Sequence, residues 1–185
     1  MKRVKYRLLF ISLILVTTAF TGIEKGNKET NTYPVEIKWY SMEEAMELNK
    51  ENPKKIFIDV YTDWCGWCKK MDASTFMDPE VVEVLNDKFY SVKFDAEQKE
   101  DLEFQKTIFK FDTKLGRRGA HQFAYELLNK RMSYPSYVYL DKDLNRITIS
   151  PGFKEVEQIM TELRYIGGDL YTDMTFVEYQ ESLKK

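Results

Sequence analysis

Cysteine and histidine are scarce in this chain. Its 185 residues hold two cysteines, Cys65 and Cys68, and one histidine, His121. A structural zinc site takes four ligands, usually as paired knuckles, and only His121 could join the two sulfurs as a conventional soft ligand. No second CxxC, internal repeat or low-complexity block is present. The apolar run Leu8–Phe20 has 13 residues, against the roughly 20 that a membrane-spanning helix needs. A dominant charge of one sign is also missing, with 28 basic against 30 acidic residues. Such a balance, scattered along the chain, argues against nucleic acid or an anionic membrane as partner.

What is present begins at the N-terminus. Four basic residues, Lys2, Arg3, Lys5 and Arg7, precede the apolar run, and small and polar residues follow it. That layout is a secretory signal peptide over 1–19, with cleavage after Ala19, then a polar linker over 20–34. An uncleaved anchor or a buried helix is the alternative; the basic start and the polar "EKGNKETNT" stretch favour export. Cleavage would remove four positive charges and take the formal charge from −2 to −6. The remainder, 35–185, is the size of one domain with one core.

Along that domain, "VEIKWYS" reads as a strand, and Ser41 with Glu44 forms a capping box that opens a helix to about Asn49. "KKIFIDVYT" and "FYSVKFDA" have the apolar, β-branched and aromatic character of strands buried on both faces. Between them "CKKMDASTF" reads as helix, and Asp78 caps another that has Pro79 in its first turn. Beyond Pro135, "SYVYL", a "DKDLN" turn and "RITIS" predict a hairpin. A helix from about Lys154 to Ile166 follows, stopped by Gly167 and Gly168. Thr175 and Glu178 then cap a short last helix within a C-terminal extension over 169–185. Alternating strands and helices followed by a hairpin imply a mixed sheet with helices on both faces.

Several of these features, in order, resemble the thioredoxin-fold family, specifically exported bacterial thioredoxin-like thiol–disulfide interchange proteins. They are Asp59 in the strand before the cysteines, "WCGWCK", a strand closing at Asp95, Tyr134–Pro135 before the hairpin and Gly152 after it. The resemblance implies an α/β thioredoxin fold with a mixed central sheet and helices on both faces. It also implies a cis Pro135 facing the cysteines, with Tyr134 pairing to an extended substrate, and Asp59 as a buried acid that takes the proton of Cys68. Two departures stand out. The family usually has glycine–proline between its cysteines, and here Gly66 and Trp67 stand there. In addition, 39 residues separate Asp95 from Pro135, so we expect a helical insertion over about 97–119, lying near the cysteines and shaping access to them.

The pair admits three readings: a structural staple, half of a metal site, or a reactive couple. A loop of two residues constrains the unfolded chain little, and a domain with 15% aromatics does not need a disulfide to fold. For metal the ligands are too few, so neither metal nor cofactor is expected; His121 is expected at a helix start or in a loop. A reactive couple fits. With Cys65 at the first position of a helix and Cys68 one turn on, the unpaired amides and positive dipole end favour a Cys65 thiolate, and Lys69 and Lys70 add to this. Cys65 then attacks a substrate disulfide and the more shielded Cys68 resolves the mixed disulfide. Trp64 and Trp67, each preceding a cysteine, are candidates with Gly66, Tyr134 and Pro135 for contact with substrate. The expected function is a thiol–disulfide oxidoreductase that reduces exported proteins containing cysteine. It would act as a periplasmic or secreted monomer recharged by a membrane electron donor. A disulfide oxidase or isomerase, or a non-catalytic binding module, is the alternative.

Overall fold

A computed structural model of the protein describes residues 36–184; the expected signal peptide and linker lie outside them. The elements, in order, are β1 (Trp39–Tyr40), α1 (Met42–Glu51), β2 (Lys55–Tyr61), α2 (Gly66–Ala73), α3 (Pro79–Lys88) and β3 (Phe89–Asp95). Four short strands follow, β4 (Leu102–Phe104), β5 (Thr107–Phe109), β6 (Phe111–Asp112) and β7 (Ala120–His121), and then α4 (Gln122–Leu127). The chain closes with β8 (Ser136–Leu140), β9 (Arg146–Pro151), α5 (Val156–Gly167) and α6 (Phe176–Ser182).

The central sheet has the order β1-β3-β2-β8-β9. Strand β2 runs parallel to β3 and antiparallel to β8, so the sheet is mixed, and helices cover both faces. Strand alternation divides the core. Phe57, Tyr137 and Tyr139 point to one face, where they meet Met71 of α2, Leu85 of α3 and Leu163 of α5. Ile56, Ile58 and Val60 point to the other, against Met42 and Ala45 of α1 and Phe123 and Leu127 of α4. This accounts for the unbroken apolar character of β2: flanked by strands and covered on both sides, it has nowhere to place a polar residue at low cost. Asp59 is the exception, and it is buried.

Helix boundaries follow the local signals. The Ser41–Glu44 capping box forms, as does that of Thr175 with Glu178, and the Asp78 carboxylate accepts the Glu80 and Val81 amides at the start of α3. Two elements are shorter than expected. Strand β1 is confined to Trp39–Tyr40, and α2 ends at Ala73, with Thr75–Met77 continuing as a 3-10 turn.

The insertion is the larger correction. Residues expected to be helical form two small hairpins, β4 with β5 and β6 with β7. The physical reason is the spacing of their apolar residues. Leu102, Phe104 and Phe109 turn inward from an extended pair; Leu102 is fully buried, and the Phe104 and Phe109 rings sit 5.0 and 5.4 Å from that of Phe123. Gly119, at φ +80°, lets the chain pass the Phe111 ring, which a β-carbon there would strike. The helix at this point is α4, immediately after the insertion.

Phe57 is the centre of the α3/α5 face, fully buried and stacked on Tyr137 at 5.6 Å, with Tyr139 at 5.3 Å. Truncating it would leave a cavity that rigid neighbouring strands cannot close. We expect Phe57→Ala to lower unfolding stability by about 3–5 kcal/mol, read as a fall in the urea midpoint; a loss under about 1 kcal/mol would contradict this packing.

A disulfide at a helix N-terminus and a buried carboxylate

Strand β2 delivers the chain through Thr62–Trp64 into α2, and Cys65 stands at the N-cap, one position earlier than expected, with Gly66 the first helical residue. Backbone bonds set the turn: the Cys65 amide donates to the Thr62 carbonyl at 3.0 Å and the Lys69 amide to the Cys65 carbonyl at 3.2 Å. The Cys68 amide donates to Cys65 Sγ at 3.1 Å. The first sulfur therefore occupies the place of a capping oxygen, where the unpaired amides of a helix end favour negative charge. Cys65 and Cys68 form a disulfide with their Cα atoms 5.3 Å apart. In this state both are buried, 5% and 2% exposed, so the contrast in shielding is smaller than the sequence suggests. A β-carbon on Gly66 would meet open space.

Asp59 lies on the α2 face of the sheet. It is 1% exposed, and its Oδ2 is 3.0 Å from Lys93 Nζ. Lys93 stands beside Asp59 in the β2/β3 register and also pairs with Asp72 of α2. Burial raises the Asp59 carboxyl to about 6; Lys93 opposes the shift, and Asp72 adds slightly to it. Burial works against the Lys93 charge, but Asp59 and Asp72 together hold it above its ordinary value. Across the other strand pair Asp59 faces Tyr137, whose buried hydroxyl is raised by burial and by that carboxylate. Lys93 and Asp72 were not foreseen. Lys93 carried a signal, as the only cation in a strand otherwise fit for burial; Asp72 carried none, because nothing local distinguishes it from a solvated helix face.

The Tyr134–Pro135 bond is cis. The Pro135 carbonyl accepts the Gly152 amide at 2.8 Å, with Gly152 at φ +90°. Tyr134 meets Trp64 edge-on, ring centroids 5.8 Å apart, and its hydroxyl is pushed up to about 12, first by burial and then by Glu97 and Asp95. Trp64 and Trp67 are 52% and 57% exposed, more than half of each indole facing solvent beside buried sulfurs. The insertion reaches this rim: the Trp64 indole donates to Glu97 Oε1 at 2.9 Å, and the Arg118 guanidinium lies 5.6 Å from the Trp64 ring. Neither Glu97 nor Arg118 was foreseen as a rim residue. Lys70 lies over the Trp67 and Phe153 rings. His121 is the N-cap of α4; its Nδ1 accepts the Phe123 amide at 3.2 Å, which leaves Nε2–H to donate to the Glu100 carbonyl at 3.1 Å.

Chemically, this arrangement holds two sulfurs within bonding reach, one at the positive end of a helix, and, on the sheet face that the same helix covers, a buried carboxyl group that exchanges a proton near neutrality.

A family model described as Thioredox_DsbH, protein of unknown function, DUF255, matches residues 28–165. An uncharacterized protein of Caenorhabditis elegans is 35% identical over 68 residues, covering 36% of this chain and 9% of that protein. The thiol:disulfide interchange protein DsbD of Photorhabdus laumondii is 39% identical over 49 residues, covering 26% and 8%. This chain thus matches under a tenth of the length of either relative. A solved structure named DsbH oxidoreductase superposes with a TM-score of 0.53 at 19% identity, over 78% of this chain and 94% of that one; it shares the thioredoxin fold.

Because its pKa is raised on folding, Asp59 lets the native state hold a proton that the unfolded chain has already released. Its contribution is present below the ordinary carboxylate value of 3.8 and is lost as pH rises through about 6. Asp59→Asn removes that loss, while Lys93 keeps Asp72. We expect the variant to be more stable than the parent at pH 8, by up to about 3 kcal/mol, with the gap closing toward pH 4. Urea midpoints across that range provide the measurement; a parent that gains on the variant as pH rises would refute the assignment.

Proposed function

The chain belongs to the Thioredox_DsbH family, matched over residues 28–165, and on that premise we propose that it is a thiol–disulfide oxidoreductase that reduces disulfides of exported proteins. The observation that carries this reading is Cys65 at the N-cap of α2, its sulfur receiving the Cys68 amide. Further support comes from the CxxC pair and from the name of the DsbD relative.

In the reduced protein the Cys65 thiolate attacks one sulfur of a substrate disulfide. That S–S bond breaks, the other substrate sulfur leaves as thiolate, and a mixed disulfide forms. Cys68 then gives its proton to Asp59 and attacks Cys65 Sγ. The mixed disulfide breaks, the second substrate sulfur departs, and the Cys65–Cys68 bond forms. Two electrons have passed to the substrate, and a dithiol or membrane-bound donor must return them to restore the pair. Asp59 suits the proton transfer because its value of about 6 lies near neutral operating pH. Trp64, Trp67, Tyr134 and Pro135 form the substrate rim, with Gly66 leaving the approach open. Export to the periplasm or outside the cell is supported by the N-terminal sequence pattern, and a monomer by the single small domain without an evident dimerisation segment.

Cys68→Ala removes the resolving sulfur and leaves Cys65 free to attack. We expect this variant, expressed in the native host, to accumulate mixed disulfides with protein clients, released by dithiothreitol and identified by mass spectrometry. A binding module would trap none. Direction is read from equilibration with a glutathione buffer: a potential near about −270 mV supports the reductase, and one near about −120 mV assigns an oxidant instead.

A further inference from the structure

Two aromatic walls flank the Pro135 loop, and each carries a cation. On one side Trp64 rests edge-on against Tyr134, with the Arg118 guanidinium 5.6 Å from the Trp64 ring centre. On the other, Trp67 packs on Phe153 at 5.3 Å, with Lys70 Nζ 4.5 Å from the Phe153 ring and 5.1 Å from that of Trp67. Both walls are tied to the same loop. Tyr134 precedes Pro135, and Phe153 follows Gly152, whose amide donates to the Pro135 carbonyl at 2.8 Å. Cys65 and Cys68 alternate with the two tryptophans, so the walls border the sulfurs.

The charges distinguish this rim from an ordinary apolar lip. Among the described residues Arg118 and Lys70 make no ion pair, whereas Lys93, Lys110 and Lys154 do. An aromatic face orients a cation without neutralising it, so both charges remain available to a third group. Acids stand at the same rim: Glu97 accepts the Trp64 indole N–H, and the charges of Asp63 and Asp95 raise the Tyr61 hydroxyl, but none of the three pairs with Arg118 or Lys70 among the described residues. Arg118 comes from the insertion, which the central sheet does not require. The insertion thus brings a cation to the Trp64–Tyr134 wall in a chain whose net charge is −2.

We infer that the site selects disulfides flanked by carboxylates, in an extended protein segment whose cysteine has an acidic side chain on either side, one meeting Arg118 and the other Lys70. This rests on the thiol–disulfide reading above. The indoles supply apolar contact of a kind most sequences satisfy, and the two cations supply the discrimination, acting on encounter rate as complementary charges do. The disulfide of glutathione offers the same carboxylates from a small molecule and serves as a separate arm of the test.

The reduced full chain is mixed with matched disulfide peptides that bear Glu, Gln or Lys beside the cysteine, and oxidation is followed by tryptophan fluorescence in stopped flow. For the Glu peptide we expect a second-order rate constant about tenfold above that for the Lys peptide at low salt, the ratio falling as ionic strength rises. The ratio should approach one in the double variant Arg118→Gln, Lys70→Gln, and invert in Arg118→Glu, Lys70→Glu. Both positions are at the surface, and a ratio between peptides is insensitive to a general loss of active protein. Equal rates for the Glu and Lys peptides in the parent, or a preference that survives charge reversal, would overturn the selectivity alone. Glutathione disulfide reduced faster than the Glu peptide would overturn the protein segment as the substrate. Failure to reduce any of them would overturn the oxidoreductase reading itself.

Discussion

One ion pair within the sheet sets the terms for this site. Asp59 and Lys93 sit side by side on adjacent parallel strands, on the face covered by α2. The sheet around them is close-packed and apolar, so neither charge is solvated as it would be in water, and each depends on the other. The dependence is unequal. Lys93 has a second partner in the half-exposed Asp72, whereas one oxygen of Asp59 has none among the described residues. The carboxyl is consequently held where proton exchange costs little near neutrality. A wetter sheet would remove the burial that raises Asp59 and leave Lys93 to draw it down.

The same strands explain why the reactive sulfurs and the insertion share one edge of the molecule. Strands β2 and β3 are parallel, with Tyr61 opposite Asp95 at their ends. Chain leaving β2 enters α2 through Cys65, and chain leaving β3 enters the insertion through Ala96, whose amide donates to the Tyr61 carbonyl at 2.9 Å. A segment added after β3 is therefore delivered to the cysteine edge by topology. Glu97 and Arg118, near its two ends, reach Trp64 for that reason, while Leu102, Phe104 and Phe109 hold its middle against Phe123. Open α/β sheets bind ligands at this edge, beyond the carboxyl ends of their strands. Here the edge is furnished by a segment that adds no strand to the central sheet.

Much of this was legible in the sequence, and the reasons are local. Capping at Ser41, Asp78 and Thr175 acts within three residues, so those helix starts can be read directly. The strands β2, β3 and β8 announce themselves because burial on both faces leaves an unbroken apolar record. The insertion departs from the expected helix because Leu102, Phe104 and Phe109 turn inward from an extended pair, with the two phenylalanines packing on Phe123 at least 14 positions away. Cys65 and Cys68 were evident as a pair, and Trp64 and Trp67 as their neighbours. Lys93, Asp72, Glu97 and Arg118 were not, since each matters only through a residue between 13 and 54 positions away.

The sequence by itself determined that two closely spaced cysteines would open a helix directly after a buried strand, and that the strand would carry a single acid. Those properties follow from short-range spacing, capping and hydrophobic pattern. Tertiary structure alone decided which cation would neutralise that acid, how it would be shared, and which distant charges would stand on the two indoles. Side-chain pairing across a sheet depends on strand register and on the path of the connecting chain, and neither is encoded by any residue in isolation.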